Sequence, residues 1–197
     1  MVVQQVINSV FNSCSYVITG EHRSWLVDCG DVDKLVPLID GDLCGVLLTH
    51  SHFDHIYGLN SLLDAFPAAP VYTNQDGLKG LLNDKENLSR YHEAPFVLDH
   101  PGNIHVIDDN AVIPMFDHVE AHAVFTPGHC PSCVTWVVGH AVFTGDSYIP
   151  GVKTVTILPH ADKALAAQSQ NHIRDLLVDG RTVYPGHPVA IDSDRIL

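Results

Sequence analysis

The stretch Thr49-His50-Ser51-His52-Phe53-Asp54-His55 places three imidazoles and a carboxylate within six residues. Imidazole nitrogen and carboxylate oxygen are donors that suit zinc, iron or manganese, whereas structural zinc sites draw on thiolates. In an extended backbone, side chains at i and i+2 point the same way, so His50, His52 and Asp54 can share one side. Asp54 and His55 are adjacent and diverge, which turns them toward a second point. One short loop can therefore seed two metal positions, the arrangement used to make a bridging hydroxide for hydrolysis. The chain has fourteen histidines, which raises the alternative of a nonspecific metal-binding tract. The residues just upstream argue against it. Cys44 to Thr49 is an apolar run that reads as a buried strand, and α/β folds place their sites at the carboxyl ends of such strands.

Three later positions extend the pattern. Thr126-Pro-Gly-His129 sets a histidine in a stiffened turn, and Tyr184-Pro-Gly-His187 repeats the arrangement. Phe143-Thr-Gly-Asp146 sets an aspartate just past a short apolar segment, with glycine permitting close backbone approach. An isolated histidine or aspartate in a turn is usually structural or solvated. Three strand-end donors following a dense His/Asp loop form a constellation.

The elements that must position these side chains follow from periodicity and punctuation. Residues 2–8, 15–19 and 24–28 read as strands, separated by turn signals. A helix capped by Asp31 is expected over 31–39, then a strand over 44–49 and a helix over 59–66 ended by Pro67. A short strand follows at 70–73. Residues 74–103 read as a short helix and an irregular excursion that shapes a substrate entrance. Strands resume at 104–107, 119–125, 133–138 and 140–143. An amphipathic helix over 161–178 carries Ala164, Leu165, Ala167, Ile173, Leu176 and Leu177 on its apolar face, and a strand over 182–184 ends the pattern.

Size and composition bound the function. The 197 residues are 46% apolar and 17% charged, the balance of one globular domain spanning 1–197. A net charge of −13 disfavours binding to a phosphate backbone. A small-molecule substrate is expected, with no nucleic-acid or membrane partner. The opening residues begin like a strand, not a signal peptide. Five scattered cysteines do not make a disulfide framework. Cytoplasmic residence is the expectation.

With the ordered series His50-x-His52-x-Asp54-His55, His129, Asp146 and His187, the chain resembles metallo-β-lactamase-fold hydrolases over nearly its whole length. The resemblance implies an α/β fold, a four-layer αββα sandwich with the site along one edge between the sheets. It implies that His50, His52 and His129 hold one metal, that Asp54, His55 and His187 hold a second, and that Asp146 bridges them. Two divalent ions are implied, zinc first, with iron or manganese as alternatives. The Thr-Pro-Gly-His, Phe-Thr-Gly-Asp-Ser and Tyr-Pro-Gly-His segments, with Asn87-Leu-Ser89, are similar to the glyoxalase II (hydroxyacylglutathione hydrolase) branch. Full-length members of that branch carry a C-terminal helical domain for glutathione, whereas ten residues follow His187 here. The expectation is therefore hydrolysis of a small thioester or ester by a metal-bridging hydroxide. The alternatives are a mononuclear-iron persulfide dioxygenase-like enzyme, or a lactonase or phosphodiesterase of the same fold.

The resemblance makes Asp54 the catalytic residue, orienting the nucleophile or moving its proton. Asp28 is a candidate for fixing the imidazoles from behind, with a turn residue as the alternative. Tyr148 and Lys153 are candidates for reaching substrate, and otherwise lie at the surface. His160 and His172 read as solvated. Cys130-Pro-Ser-Cys133 has redox spacing but no helix start after it, so proximity of Cys130 to the metal is the better reading.

Overall fold

The computed structural model describes residues 1–177 and 180–189. Strands β1 (Val2–Ile7), β2 (Cys14–Gly20) and β3 (Arg23–Val27) run antiparallel. The helical turn α1 (Val32–Leu35) and a 3-10 turn (Val36–Leu38) lead to β4 (Asp42–Leu47), which lies parallel to β3. After α2 (Phe53–Ile56) and α3 (Leu59–Ala65) come β5 (Val71–Thr73), α4 (Gln75–Leu81) and β6 (Ile104–Val106). These complete a six-stranded sheet in sequence order. Strands β7 (Val112–Phe116), β8 (Val119–Phe125), β9 (Val134–Val138) and β10 (Ala141–Gly145) form an antiparallel meander. Helix α5 (Lys163–Leu176) then returns the chain to β11 (Thr182–Pro185), parallel to β10 at the edge of this second, five-stranded sheet.

Period-two alternation divides the apolar residues among three interfaces. Tyr16, Ile18, Trp25, Val27 and Leu47 of the first sheet meet Ala121, Ala123, Val134, Trp136 and Phe143 of the second. The intervening Val17, Leu26 and Val46, with Leu48, face the other way against Ile56, Leu59, Leu62, Leu63 and Leu81. On the far side of the second sheet, Val124, Val137 and Val142 meet Leu176 and Leu177. The layers are therefore helix, sheet, sheet, helix. Trp136 is fully buried, and its indole N–H donates to the Leu48 carbonyl at 2.9 Å, joining the sheets beside the ligand loop. Truncating a buried tryptophan of this kind to alanine costs about 3–5 kcal/mol. Among the described residues no helix is long and apolar enough to cross a membrane.

Several boundaries differ from the sequence expectation. Helix 31–39 is split into α1 and the 3-10 turn where Pro37 interrupts it, and the Asp31 side chain makes no cap hydrogen bond. Its carboxylate instead accepts from the backbone N–H and hydroxyl of Ser9. β7 went unread because Pro114 sits inside it, and Pro is tolerated there because β7 is an edge strand. The helix expected over 161–178 spans Lys163–Leu176, with residue 178 outside the described residues. Its buried face agrees at Ile173, Leu176 and Leu177 and differs in its first turns. Ala164, Leu165 and Ala167 are exposed, while Ala166, Ser169 and Ile173 are buried. The helix docks closely on the turn before His129, where the Ser169 hydroxyl donates to the Pro127 carbonyl at 2.6 Å. Small residues are needed at that contact, which a count of apolar side chains does not see.

Candidate metal centre

The candidate ligands all follow strand ends on one edge of the sandwich. His50 and His52 come just after β4, His129 lies in the turn between β8 and β9, Asp146 follows β10, and His187 follows β11. Backbone bonds close this edge. Val134 N–H donates to the Thr49 carbonyl at 2.7 Å, and Gly186 N–H donates to the Gly145 carbonyl at 2.9 Å. A Cβ on Gly186 would lie 2.1 Å from Asp146 Oδ1, so the carboxylate is seated where only glycine leaves room.

Three groups of donors result among the described residues, one of which joins Asp28 to His50 and His55. His50, His52 and His129 each offer one ligand atom within 4.8 Å of the others, and so do Asp54, His55 and His187. Asp146 stands between these latter two groups. Its Oδ2 is 3.5 Å from His129 Nε2 and 3.4 Å from His187 Nε2, and its Oδ1 is 3.6 Å from His55 Nε2. Asp54 Oδ2 lies 3.4 Å from the Nε2 atoms of both His55 and His187. The extended periodicity that puts Asp54 on the side of His50 and His52 ends at His52, where helical turn α2 begins. That turn carries Asp54 to the group of His55.

The outer nitrogens of the rings are fixed by acceptors. Asp28, buried and with φ 58°, accepts from Thr49 N–H at 2.7 Å, from the Thr49 hydroxyl at 2.6 Å and from His55 Nδ1 at 2.8 Å. A carboxylate only accepts, so the His55 proton sits on Nδ1 and Nε2 is left facing Asp146. The Thr49 hydroxyl, having given its proton to Asp28, accepts from His50 Nδ1 at 3.1 Å. His129 Nδ1 donates to the Val155 carbonyl at 2.9 Å, and His187 Nδ1 donates to the Phe11 carbonyl at 3.2 Å. Four rings thus present Nε2 to the centre. The fifth, His52, presents Nδ1, 2.9 Å from His129 Nε2.

Asp28 therefore takes the imidazole-anchoring role read for it in the sequence, from a bend with a left-handed backbone. Thr49, the Val155 carbonyl and the Phe11 carbonyl were not read from the sequence. Thr49 could have been flagged by its place between the strand and His50, but a backbone carbonyl carries no residue signature.

Electrostatics differ between the groups. Burial pushes His50 well below the ordinary histidine range and His52 down to about 3, reinforced by neighbouring imidazoles. Burial also opposes charge on His55 and His187. There the carboxylates override it, Asp54 and Asp28 raising His55 to about 9, and Asp146 and Asp54 raising His187 to about 10. Burial works against ionisation of Asp54 and Asp146 too, yet the surrounding imidazoles hold Asp54 below and Asp146 well below the usual carboxylate value. The centre favours positive charge beside its carboxylates and neutral rings opposite them.

His50 Nε2, His55 Nε2 and Asp146 Oδ1 are buried with no hydrogen-bond partner. Orphaned buried polar atoms are rare, and these three converge on one place. Nitrogen and oxygen donors in this number fit divalent cations. Elsewhere, Cys130 Sγ lies 3.3 Å from Cys133 Sγ and 3.2 Å from the Ser132 hydroxyl, both thiols being buried. His160 Nε2 is 3.3 Å from Glu86, and His172 is exposed. A cavity of about 390 Å³ opens onto His52, Asp54, His129, Asp146 and His187, and neither Tyr148 nor Lys153 lines it.

Comparisons agree with this architecture. A probable metallo-hydrolase of Streptococcus pyogenes is 26% identical over 197 residues, covering 95% of this chain and 84% of that protein. A probable hydroxyacylglutathione hydrolase of Schizosaccharomyces pombe is 26% identical, but this chain spans only 64% of its length. The crystal structure of the B3 metallo-beta-lactamase BLEG-1 superposes with a TM-score of 0.85 at 23% identity, covering 95% of this chain and 92% of that one. That of TTHA1623 in a di-iron-bound form gives 0.78 at 24% identity, covering 94% and 92%. Residues 9–187 match the family described as the metallo-beta-lactamase superfamily. With that span matched and the four-layer fold in place, the chain belongs to the metallo-beta-lactamase superfamily.

Proposed function

We propose that this metallo-hydrolase cleaves a small thioester or ester with two divalent cations, in the manner of the hydroxyacylglutathione hydrolases among its relatives. The observation that carries the reading is Asp146, whose carboxylate approaches His129 and His187 at 3.5 and 3.4 Å through one oxygen and His55 at 3.6 Å through the other. In this reading His50, His52 and His129 would hold one cation and Asp54, His55 and His187 the other, with Asp146 available to both. Zinc is the first choice, with iron and manganese accepted by the same donors. The proposal extends to residues 1–197 acting as one domain on a small cytoplasmic substrate.

When bound, the cations supply a water acidified toward neutral pH and a Lewis acid for the carbonyl oxygen. The chain's own residues do the rest. Asp54, held ionised among imidazoles, is the residue that would orient the attacking water. Asp28 keeps His55 in the tautomer with its proton on Nδ1. The carbonyls of Val155 and Phe11 do the same for His129 and His187. Hydrolysis forms the acyl C–O bond, breaks the C–S or C–O bond and releases a thiol or alcohol, with no change in oxidation state.

The test is metal analysis of protein purified without chelator, with a panel of thioesters, lactones, phosphodiesters and β-lactams after zinc, iron or manganese reconstitution. Thioester or ester turnover should be lost in Asp146→Ala and His52→Ala. Activity surviving both substitutions overturns the site. One iron per chain with persulfide-dependent oxygen uptake overturns the hydrolase reading.

A further inference from the structure

Beside its metal-facing side chains, the 390 Å³ cavity is walled by Phe11, Phe53, Leu88, Val155, Leu158 and His92. No lysine or arginine lines it among the described residues. The adjoining hollow beyond His52 contains Lys79, but that ammonium is 2.6 Å from the Asp76 carboxylate. Phe53 packs on the His92 ring with centroids 4.4 Å apart, and Phe11 meets His92 edge-on at 5.8 Å. The wall is thus a joined aromatic surface, open to solvent at Phe11, which is 66% exposed, and at Val155, which is 44% exposed.

Phe11 also occupies a conformation that its own chemistry does not favour. Ser13 N–H donates to the Val10 carbonyl at 3.1 Å, closing a turn in which Phe11 and Asn12 have φ of 51° and 54°. Turns with two left-handed central residues favour Asn and Gly, and a bulky aromatic at the first position is disfavoured. Leu88, which also lines the cavity, is likewise left-handed at φ 66°. Two large apolar residues held in a costly backbone region thus line the same cavity.

We infer that this wall receives an uncharged, apolar acyl group, with Phe11 as its specificity-determining residue, and that a thiol carrier bearing anionic groups gains nothing here. The inference rests on the hydrolase reading. Apolar contact rewards added methylenes, whereas an anionic carrier finds no lysine or arginine in the lining among the described residues, the metal centre being engaged by the reacting carbonyl, and faces a chain of net charge −13.

The experiment compares acetyl, butyryl and hexanoyl thioesters of neutral N-acetylcysteamine with the matching glutathione thioesters, using metal-loaded wild type and Phe11→Asn. In the wild type, kcat/KM should rise roughly fourfold per fully buried methylene, mostly through KM, and neutral carriers should equal or exceed glutathione. In Phe11→Asn the slope should flatten while Tm holds or rises, because asparagine suits the turn. A purely structural Phe11 would instead give a lower Tm with the slope intact, which overturns the inference. A flat wild-type slope, or glutathione thioesters preferred by tenfold, overturns it while hydrolysis stands. If no ester is turned over, the hydrolase reading fails and the wall is tested by calorimetry with thioether analogues. Hexyl binding at least tenfold tighter than methyl supports the wall, and equal binding overturns it.

Discussion

The turns that end in His129 and His187 share the tripeptide Pro-Gly-His, yet each glycine answers a different demand. Gly128 has φ 138°, its carbonyl accepts from Asp162 N–H at 2.8 Å, and an added Cβ would lie 2.2 Å from the backbone nitrogen of Ala166. It lets helix α5 close on the second sheet. Gly186 is pressed against the site, its Cβ position 2.1 Å from Asp146 Oδ1, and its carbonyl accepts from Cys14 N–H at 2.7 Å. The histidines differ in the same sense. His129 is buried and facing His52, while the His187 side chain is 25% exposed at the cavity mouth. One motif holds a layer of the fold in place, and the other seats a carboxylate.

That contrast is broken most sharply by substituting the glycines. Gly128→Ala puts a methyl into backbone and should cost about 3 kcal/mol or more in chemical denaturation. A loss near the measurement error would mean that α5 does not press on this turn. Gly186→Ala should move Asp146 by a fraction of an ångström to an ångström. Activity should then fall on the order of a hundredfold, with a smaller stability loss than Gly128→Ala. Equal stability losses with equal activities would erase the distinction. Next comes Asp28→Asn, which removes an acceptor from His55 or Thr49 and should lower metal affinity or activity roughly ten- to a hundredfold, read by metal titration beside kcat. The smallest effect belongs to Cys130→Ser. Its thiol contacts Cys133 and Ser132, not the donor groups, so stability should change by about 0.5–1 kcal/mol and metal content should stay the same.

The helix–sheet–sheet–helix order was legible through the family resemblance carried by the ordered His/Asp series and not through periodicity, because a strand buried on both faces, such as Tyr16, Val17 and Ile18 in β2, does not alternate apolar with polar residues. Residues 112–116 escaped because Pro114 denies the strand signal, and α2 escaped because a single turn leaves no period to read. At the site, the dense run His50 to His55 announced metal chemistry, and the structure gathers it with His129, Asp146 and His187. Of the support only Asp28 was legible. The carbonyls of Val155 and Phe11 reach their histidines across 26 and 176 residues of sequence, and any residue could supply them. Phe11 did leave a trace, as a large aromatic in the centre of a turn whose neighbours are Asn12 and Ser13.

The central claim is that the two histidine groups hold separate cations and share Asp146. It is tested most directly by counting metal per chain in protein purified without chelator, for wild type, His187→Ala and Asp146→Ala. The account predicts two equivalents in the wild type, one in His187→Ala, and weakened retention of both in Asp146→Ala. A single equivalent in the wild type that His187→Ala leaves unchanged would contradict it.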